Sequence, residues 1–260
     1  MQKYLDKPLL INNRKFDIRG YAMITSINGV VKGFMYRDCY FRTSSKPFDI
    51  TNLSSRYIHL TNDAVQMNSE DYGKFESGNK LSINDFQRYL DSSHGNKNVC
   101  FMRDLFPQME RLVTDSFRAV GSKIDPNRLS NCFEIFGYDF MIDENFKVFL
   151  IEANTNPCLE ICSPLLARII PELLDNSFRI AIDPLYQPSQ FLAKLKDENS
   201  QSNALGVDGR IESSREVFAG TSNIKERAAA EKAAEGDMSS SPFRRNTVKD
   251  TASAQVNLAA

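Results

Sequence analysis

Polar and apolar residues alternate along Arg14-Lys15-Phe16-Asp17-Ile18-Arg19. In a strand, side chains two apart share a face, so this run predicts a strand that buries Phe16 and Ile18 and displays Lys15, Asp17 and Arg19 together. Residues 21–27 and 31–39 read as strands on either side of Asn28-Gly29, a pair suited to the positive φ angles of a tight hairpin. Residues 82–92 place Ile83, Phe86, Tyr89 and Leu90 at helical spacing behind Ser82, a good N-terminal cap. Residues 104–120 repeat that spacing, and Pro107 then has to sit in the first turn. Residues 133–142 and 147–153 read as two strands joined by a turn at 143–146. Residues 164–174 look helical, with Pro171 expected to kink or end the helix, and 181–185 lead into loop. The pattern as a whole predicts a mixed α/β (α+β) chain.

Composition sets the boundary of that fold. The chain has 18 Phe and 9 Tyr, yet only Phe218 and Phe243 lie beyond Asp197. The remainder is rich in Ser, Ala, Glu, Lys and Asn, which cannot bury enough apolar surface to offset the entropy of ordering. Residues 1–196 are therefore read as the folded domain and 197–260 as a mostly disordered tail, with a transient helix at 222–234. A net charge of -1 lacks the basic excess of a nucleic-acid binder. No apolar run is long enough for a membrane-spanning helix, and no signal-peptide pattern opens the chain. Five cysteines, at 39, 100, 132, 158 and 162, form an odd set without a C-x-x-C pair and are read as reduced thiols of a cytoplasmic protein. Only two histidines, His59 and His94, are present, which rules out a three-histidine zinc site.

Two clusters carry candidate chemistry. Val148-Phe149-Leu150-Ile151 reads as a strand buried on both faces, and Glu152 follows it directly. Asp139 stands between Tyr138 and Phe140 on the partner strand. Alternation puts Glu152 and Asn154 on one face, and pairing around the 143–146 turn brings Asp139 opposite or diagonal to Glu152, roughly 5–8 Å away. Two carboxylates on an apolar sheet need a compensating positive charge, and no Lys or Arg adjoins them in sequence. A divalent cation bound by Asp139, Glu152 and the Asn154 amide oxygen would supply it, and such oxygen ligands suit magnesium. Ion pairs with distant basic residues would do so equally well, so both readings stand. The second cluster is the face of Lys15, Asp17 and Arg19, suited to phosphate, carboxylate and sugar hydroxyls or to plain solvation. Arg42 and the polar stretch from His59 to Asn62 are weak signals alone.

In order along the chain, QKYLDKPLLI (2–11), RKFDIRGY (14–21), YFRTSSKPF (40–48), HLTNDAVQ (59–66), YGKFESGNKLS (72–82) and FEIFGYDFMID with FLIEANTNPCLE (133–160) resemble the tubulin–tyrosine ligase-like family. The resemblance implies an ATP-grasp fold, here its central and C-terminal portions. It further implies an enzyme that uses ATP and Mg2+ to activate a carboxylate as an acyl phosphate, which a free amino acid then attacks. Tyrosine, glutamate or glycine would be joined to a protein, above all to the C-terminal tail of tubulin. By the same resemblance Gln2, Lys3, Tyr4 and Leu5 form the hinge strand that meets adenine, while Lys15 and Asp17 face the nucleotide. Arg19 and Arg42 hold substrate carboxylates, Thr61 and Asn62 lie near the terminal phosphate, and Asp139, Glu152 and Asn154 bind magnesium. It places such a protein in the cytoplasm on the cytoskeleton, at a cilium or basal body, as a monomer that engages neither nucleic acid nor membrane.

The resemblance begins at the hinge motif, so the family's N-terminal lobe and glycine-containing phosphate loop are expected to be missing from these residues. A non-catalytic or truncated tubulin-binding module of the same fold is the alternative that this leaves open. A small-peptide ligase of the same fold shares only the metal chemistry.

Overall fold

A computed structural model describes residues 2–121 and 123–186, and the backbone of 214–221. Its centre is a seven-stranded, wholly antiparallel sheet. The strands are β1 (Leu10–Ile11), β2 (Arg14–Ile27), β3 (Val30–Pro47), β4 (Lys80–Ser82), β5 (Cys132–Ile142), β6 (Val148–Asn154) and β7 (Ser214–Thr221). They run in the order β4-β3-β2-β5-β6, with β1 on β2 and β7 on β3. Among the described residues, five α-helices accompany them: α1 (Arg56–His59), α2 (Asp63–Gln66), α3 (Ile83–His94), α4 (Phe106–Val120) and α5 (Pro164–Ala181). None is long and apolar enough to cross a membrane.

The hairpin expected at Asn28-Gly29 forms, with φ angles of 50° and 77°, the left-handed region that this pair tolerates. Its strands extend to 14 and 18 residues, well past the stretches read from alternation. Ser82 caps α3: its hydroxyl accepts from the Asp85 backbone N–H, while the Asp85 carboxylate accepts from the Ser82 backbone N–H. This reciprocal pairing satisfies two donors that a helix start leaves open. Helix α4 begins at Phe106, with Pro107 in its first turn and a single π-turn, Phe101–Leu105, before it.

One expectation is corrected. Pro171 does not break its helix, since α5 runs unbroken to Ala181. Pro171 lies on the exposed side, so the carbonyl it leaves unpaired reaches water, while Leu166, Ile169, Ile170 and Leu173 pack against Tyr21, Tyr36 and Tyr40. That burial outweighs a cost of about 3 kcal/mol for an interior proline. Strand β7 lies inside the span read as a mostly disordered tail. It adds its backbone to the edge of β3, pairing Val30 with Thr221 and Tyr36 with Ser214, a long-range match that composition does not reveal. The 196/197 boundary and the 222–234 helix lie outside the described residues.

Alternation divides the sheet into two layers. Phe16, Ile18, Ala22 and Ile24 of β2, Phe41 of β3, and Phe136, Tyr138 and Phe140 of β5 meet Phe86 and Leu90 of α3 and Met109, Val113 and Phe117 of α4. The opposite face is apolar only beneath α5. Beyond that it carries Lys15, Asp17, Arg19, Arg42 and Asp139, all buried.

Candidate functional site

The charged half of this second face opens into a cleft of about 350 Å³. Arg19 of β2, Tyr40 and Arg42 of β3 and Lys80 of β4 line it from the sheet. Asn62, Asp63 and Met67 line it around α2, and Asn154, Asn156, Pro157, Cys158 and Cys162 from the end of β6 onward.

Register explains why charges separated by many residues meet here. Asp17 pairs with Arg42 across β2 and β3, and Arg19 pairs with Asp139 across β2 and β5. Arg42 donates from Nε and Nη2 to the two oxygens of Asp17, at 2.7 and 2.5 Å, and its Nη2 lies 2.9 Å from Asp139 Oδ2. Arg19 donates from Nε and Nη2 to Asp139 at 2.5 and 3.1 Å. Two guanidiniums and two carboxylates thus compensate one another in a buried chain, as buried charge requires. Burial pushes the Asp139 carboxyl up, but the hydrogen bond from Arg19 and the charge of Arg42 outweigh it, and the net shift is downward. Burial disfavours the charged form of Arg42, and the charge and hydrogen bonds of Asp17 more than reverse this, so its pKa is raised. Among the described residues, no hydrogen bond engages Nη1 of either arginine. Each keeps donors for a ligand.

These ion pairs revise the sequence argument. The compensating charge for Asp139 is supplied from distant strands. Glu152 does not sit in an apolar interior either: it is exposed, because β6 is an edge strand and Phe149, Leu150 and Ile151 are only half buried. The facing of Asp139 and Glu152 is as expected, since they are direct cross-strand partners, with Gly137 opposite Asn154. A register shift between Asp139 and Phe140 brings Glu152 onto Asp139's side of the sheet while Leu150 joins the aromatic layer.

Lys15 stands apart from the arginine chain. Its Nζ donates to the His59 carbonyl at 2.9 Å and lies 3.4 Å from Tyr4 Oη and 4.8 Å over the Tyr4 ring. Burial lowers its pKa, and the charge of Asp17 only partly offsets this. Tyr4 Oη is 2.8 Å from His59 Nδ1. Residues Gln2, Lys3, Tyr4 and Leu5 form no strand, which corrects the hinge-strand expectation; the Gln2 amide donates to the Ile151 carbonyl at 2.9 Å. Thr61 is buried, and the Asn62 carbonyl accepts from Val65 and Gln66 at the start of α2.

Lys80 and Asp63, from the segments 72–82 and 59–66, add a further ion pair to the cleft. The buried Lys80 ammonium donates to Asp63 at 2.8 Å and to the Gly78 carbonyl at 3.0 Å. Tyr72 also donates to Asp63, at 2.8 Å, and Cys162 Sγ lies 3.8 Å from it. Cys158 and Cys162 share no helix; both are exposed in the irregular segment before α5.

A hard cation finds a partial donor set here. The Asn154 amide nitrogen donates to Glu152 Oε1 at 3.1 Å, which leaves the Asn154 oxygen and Glu152 Oε2 without a hydrogen bond among the described residues. Asp139 accepts three bonds and retains one lone-pair direction. Glu152 and Asn154 fit magnesium, which needs few protein ligands, and Asp139 fits as a third, arginine-oriented oxygen. Among the described residues no three His, Cys, Asp or Glu side chains form a cluster fit for a metal on their own.

The family model for the tubulin-tyrosine ligase family matches residues 1–190. Among curated proteins, the chain is 31% identical over 183 residues to Tubulin glycylase 3B of Tetrahymena thermophila, covering 70% of this chain and 15% of that protein. It is 37% identical over 162 residues to a probable tubulin polyglutamylase of Mus musculus, covering 62% and 34%. It is 33% identical over 222 residues to Tubulin glycylase 3B of Drosophila melanogaster, covering 81% and 28%. The chain spans at most about a third of the length of these relatives.

Proposed function

The chain belongs to the tubulin-tyrosine ligase family, and from that premise we propose that it forms the carboxylate-binding and metal-binding part of an ATP-dependent ligase that adds an amino acid to tubulin. The observation that carries this reading is the pair of buried arginines that line the cleft, each fixed by an aspartate and each without a hydrogen bond at Nη1 among the described residues. A guanidinium locked on one side presents preorganised donors on the other, the arrangement that binds a carboxylate without reorganisation. The fold is read as the central and C-terminal portions of an ATP-grasp ligase.

Bound Mg–ATP would supply the phosphoryl group that makes a carboxylate reactive toward an amine. Arg19 and Arg42 hold carboxylates in line. Asp17 and Asp139 keep the arginines oriented. Asp139, Glu152 and Asn154 would hold the magnesium, and Lys15, whose ammonium donates to the His59 carbonyl, would face the nucleotide. Thr61 and Asn62 would stand near the terminal phosphate, and Gln2, Lys3, Tyr4 and Leu5, where the Gln2 amide donates to the Ile151 carbonyl, would meet the adenine. Catalysis by such a site is positioning and electrostatics. The names of the relatives divide between glycylase and polyglutamylase, so the amino acid is read as glycine or glutamate, and the setting as the cytoskeleton.

One observation favours a second reading, a tubulin-binding module without catalysis: Asp139 is already compensated by two arginines and does not demand a metal. Calorimetric titration of Mg–ATP into the chain and into Glu152→Ala separates the two. Magnesium-dependent binding that Glu152→Ala abolishes supports the ligase. Equal binding by both overturns the role of Glu152, and absence of binding to either favours the module.

A further inference from the structure

Gly137 sits in the middle of β5, opposite Tyr21 on β2 and Asn154 on β6. Its φ is not positive, so its backbone suits any residue. Glycine in a strand interior costs roughly 0.5–1 kcal/mol relative to alanine, and nothing conformational offsets that cost. Space does. A Cβ built at Gly137 would stand 2.8 Å from Pro157 Cβ, 3.4 Å from Arg19 Nη1 and 3.5 Å from Arg19 Cδ. Carbon atoms prefer about 3.5–4.0 Å, and Pro157 Cβ belongs to a ring fused to the backbone, so relief requires the chain itself to move. Gly20, one strand away, is a natural control: a Cβ there would find Phe140, Met109 and Met35 side-chain ends at 3.4–3.7 Å, ordinary contact.

We infer that Gly137 is a positioning residue of this site: its bare strand position lets the segment after β6 close onto the sheet beside Arg19. That segment carries Asn156, Pro157 and Cys158 to the cleft, and the Tyr21 hydroxyl, on the strand opposite, donates to the Cys158 carbonyl at 3.4 Å. Arg19 Nη1 and Cδ, at 3.4 and 3.5 Å, would be met at ordinary contact distance, so the clash is with Pro157 alone. Filling position 137 would therefore push Pro157, and with it Asn156 and Cys158, away from the sheet beside Arg19. The consequence for ligation rests on the proposed function; the geometry does not.

The test compares Gly137→Ala, Pro157→Gly, their double variant and Gly20→Ala in the full chain. The first readout is the rate at which iodoacetamide modifies Cys158 and Cys162, resolved by peptide mass, together with the Tm. Gly137→Ala is expected to change the labelling rate of Cys158 more than twofold and lower the Tm. Gly20→Ala is expected to stay within twofold of the parent. Removing the Pro157 Cβ in the double variant should return labelling and Tm to those of Pro157→Gly alone, and this cycle stays informative if Gly137→Ala alone fails to fold. Parental labelling and Tm in Gly137→Ala, or no recovery in the double variant, overturns the inference. The second readout is amino-acid ligation, where kcat/KM should fall about 100-fold in Gly137→Ala, as misplacement by about 1 Å can do. A parent chain that does not ligate counts against the proposed function and leaves the labelling cycle to decide on Gly137.

Discussion

The two faces of the sheet are made by the same strands, one residue out of phase, and they solve opposite problems. Toward α3 and α4, Phe16, Phe41, Phe86 and Phe101 pack ring against ring, with centroids 4.2–5.9 Å apart. Stability there is a local sum of burial and contact. Toward the cleft, Asp17, Arg42, Asp139 and Arg19 are almost as buried, but each is tolerable only because its neighbour is present. The dry face supplies the free energy of folding, and the charged face holds its geometry at that expense. Burial alone does not tell a structural layer from a working one; what tells them apart is whether the buried groups satisfy themselves singly or only as a set.

The largest effect should come from the dry face. Phe41→Ala, at a fully buried position stacked on Phe86, should cost about 3–5 kcal/mol, measured by urea unfolding. On the charged face, Asp139→Ala should cost roughly 3 kcal/mol because it strands Arg19 and Arg42. The double change Arg19→Met/Asp139→Leu should recover much of that loss. Additive losses would show that the set does not act as a unit. Acid should come next. The folded Asp139 carboxyl titrates below its ordinary value of 3.8, so its stabilisation is fully present above pH 4 and is lost as pH falls further. Asp139→Asn should flatten that part of the pH–stability curve. The smallest effect on stability belongs to Glu152→Gln, an exposed position expected to stay within about 0.5 kcal/mol while magnesium-dependent ATP binding falls at least tenfold.

What could be read in the sequence was what is local. Asn28-Gly29 and Ser82 announce a turn and a cap because their chemistry acts within three residues. Asp139 and Glu152 could be paired because one short turn joins their strands. The partners of Asp139 could not, because Arg19 and Arg42 reach it only through the order β3-β2-β5, which no local pattern encodes. Lys80 and Asp63 escaped for the same reason: each belongs to an unremarkable polar stretch until β4 brings them together. Pro171 misled because its penalty is local and certain, while the Tyr21, Tyr36 and Tyr40 platform that offsets it comes from elsewhere in the chain. The half-buried state of β6 followed from its edge position, which composition cannot distinguish from the interior of a sheet.

Strand β7 has a consequence during synthesis. The outer edge of β3 at Val30–Tyr36 waits for residues 214–221, about 180 residues further along the chain, and a ribosome adding ~5–20 residues per second needs roughly ten to forty seconds to deliver them. For that interval the nascent β2–β3 hairpin exposes an unpaired backbone row, open to any extended segment that arrives first. Chaperone occupancy on ribosome-bound chains should therefore rise once residue 47 has emerged and fall as residue 221 clears the exit tunnel.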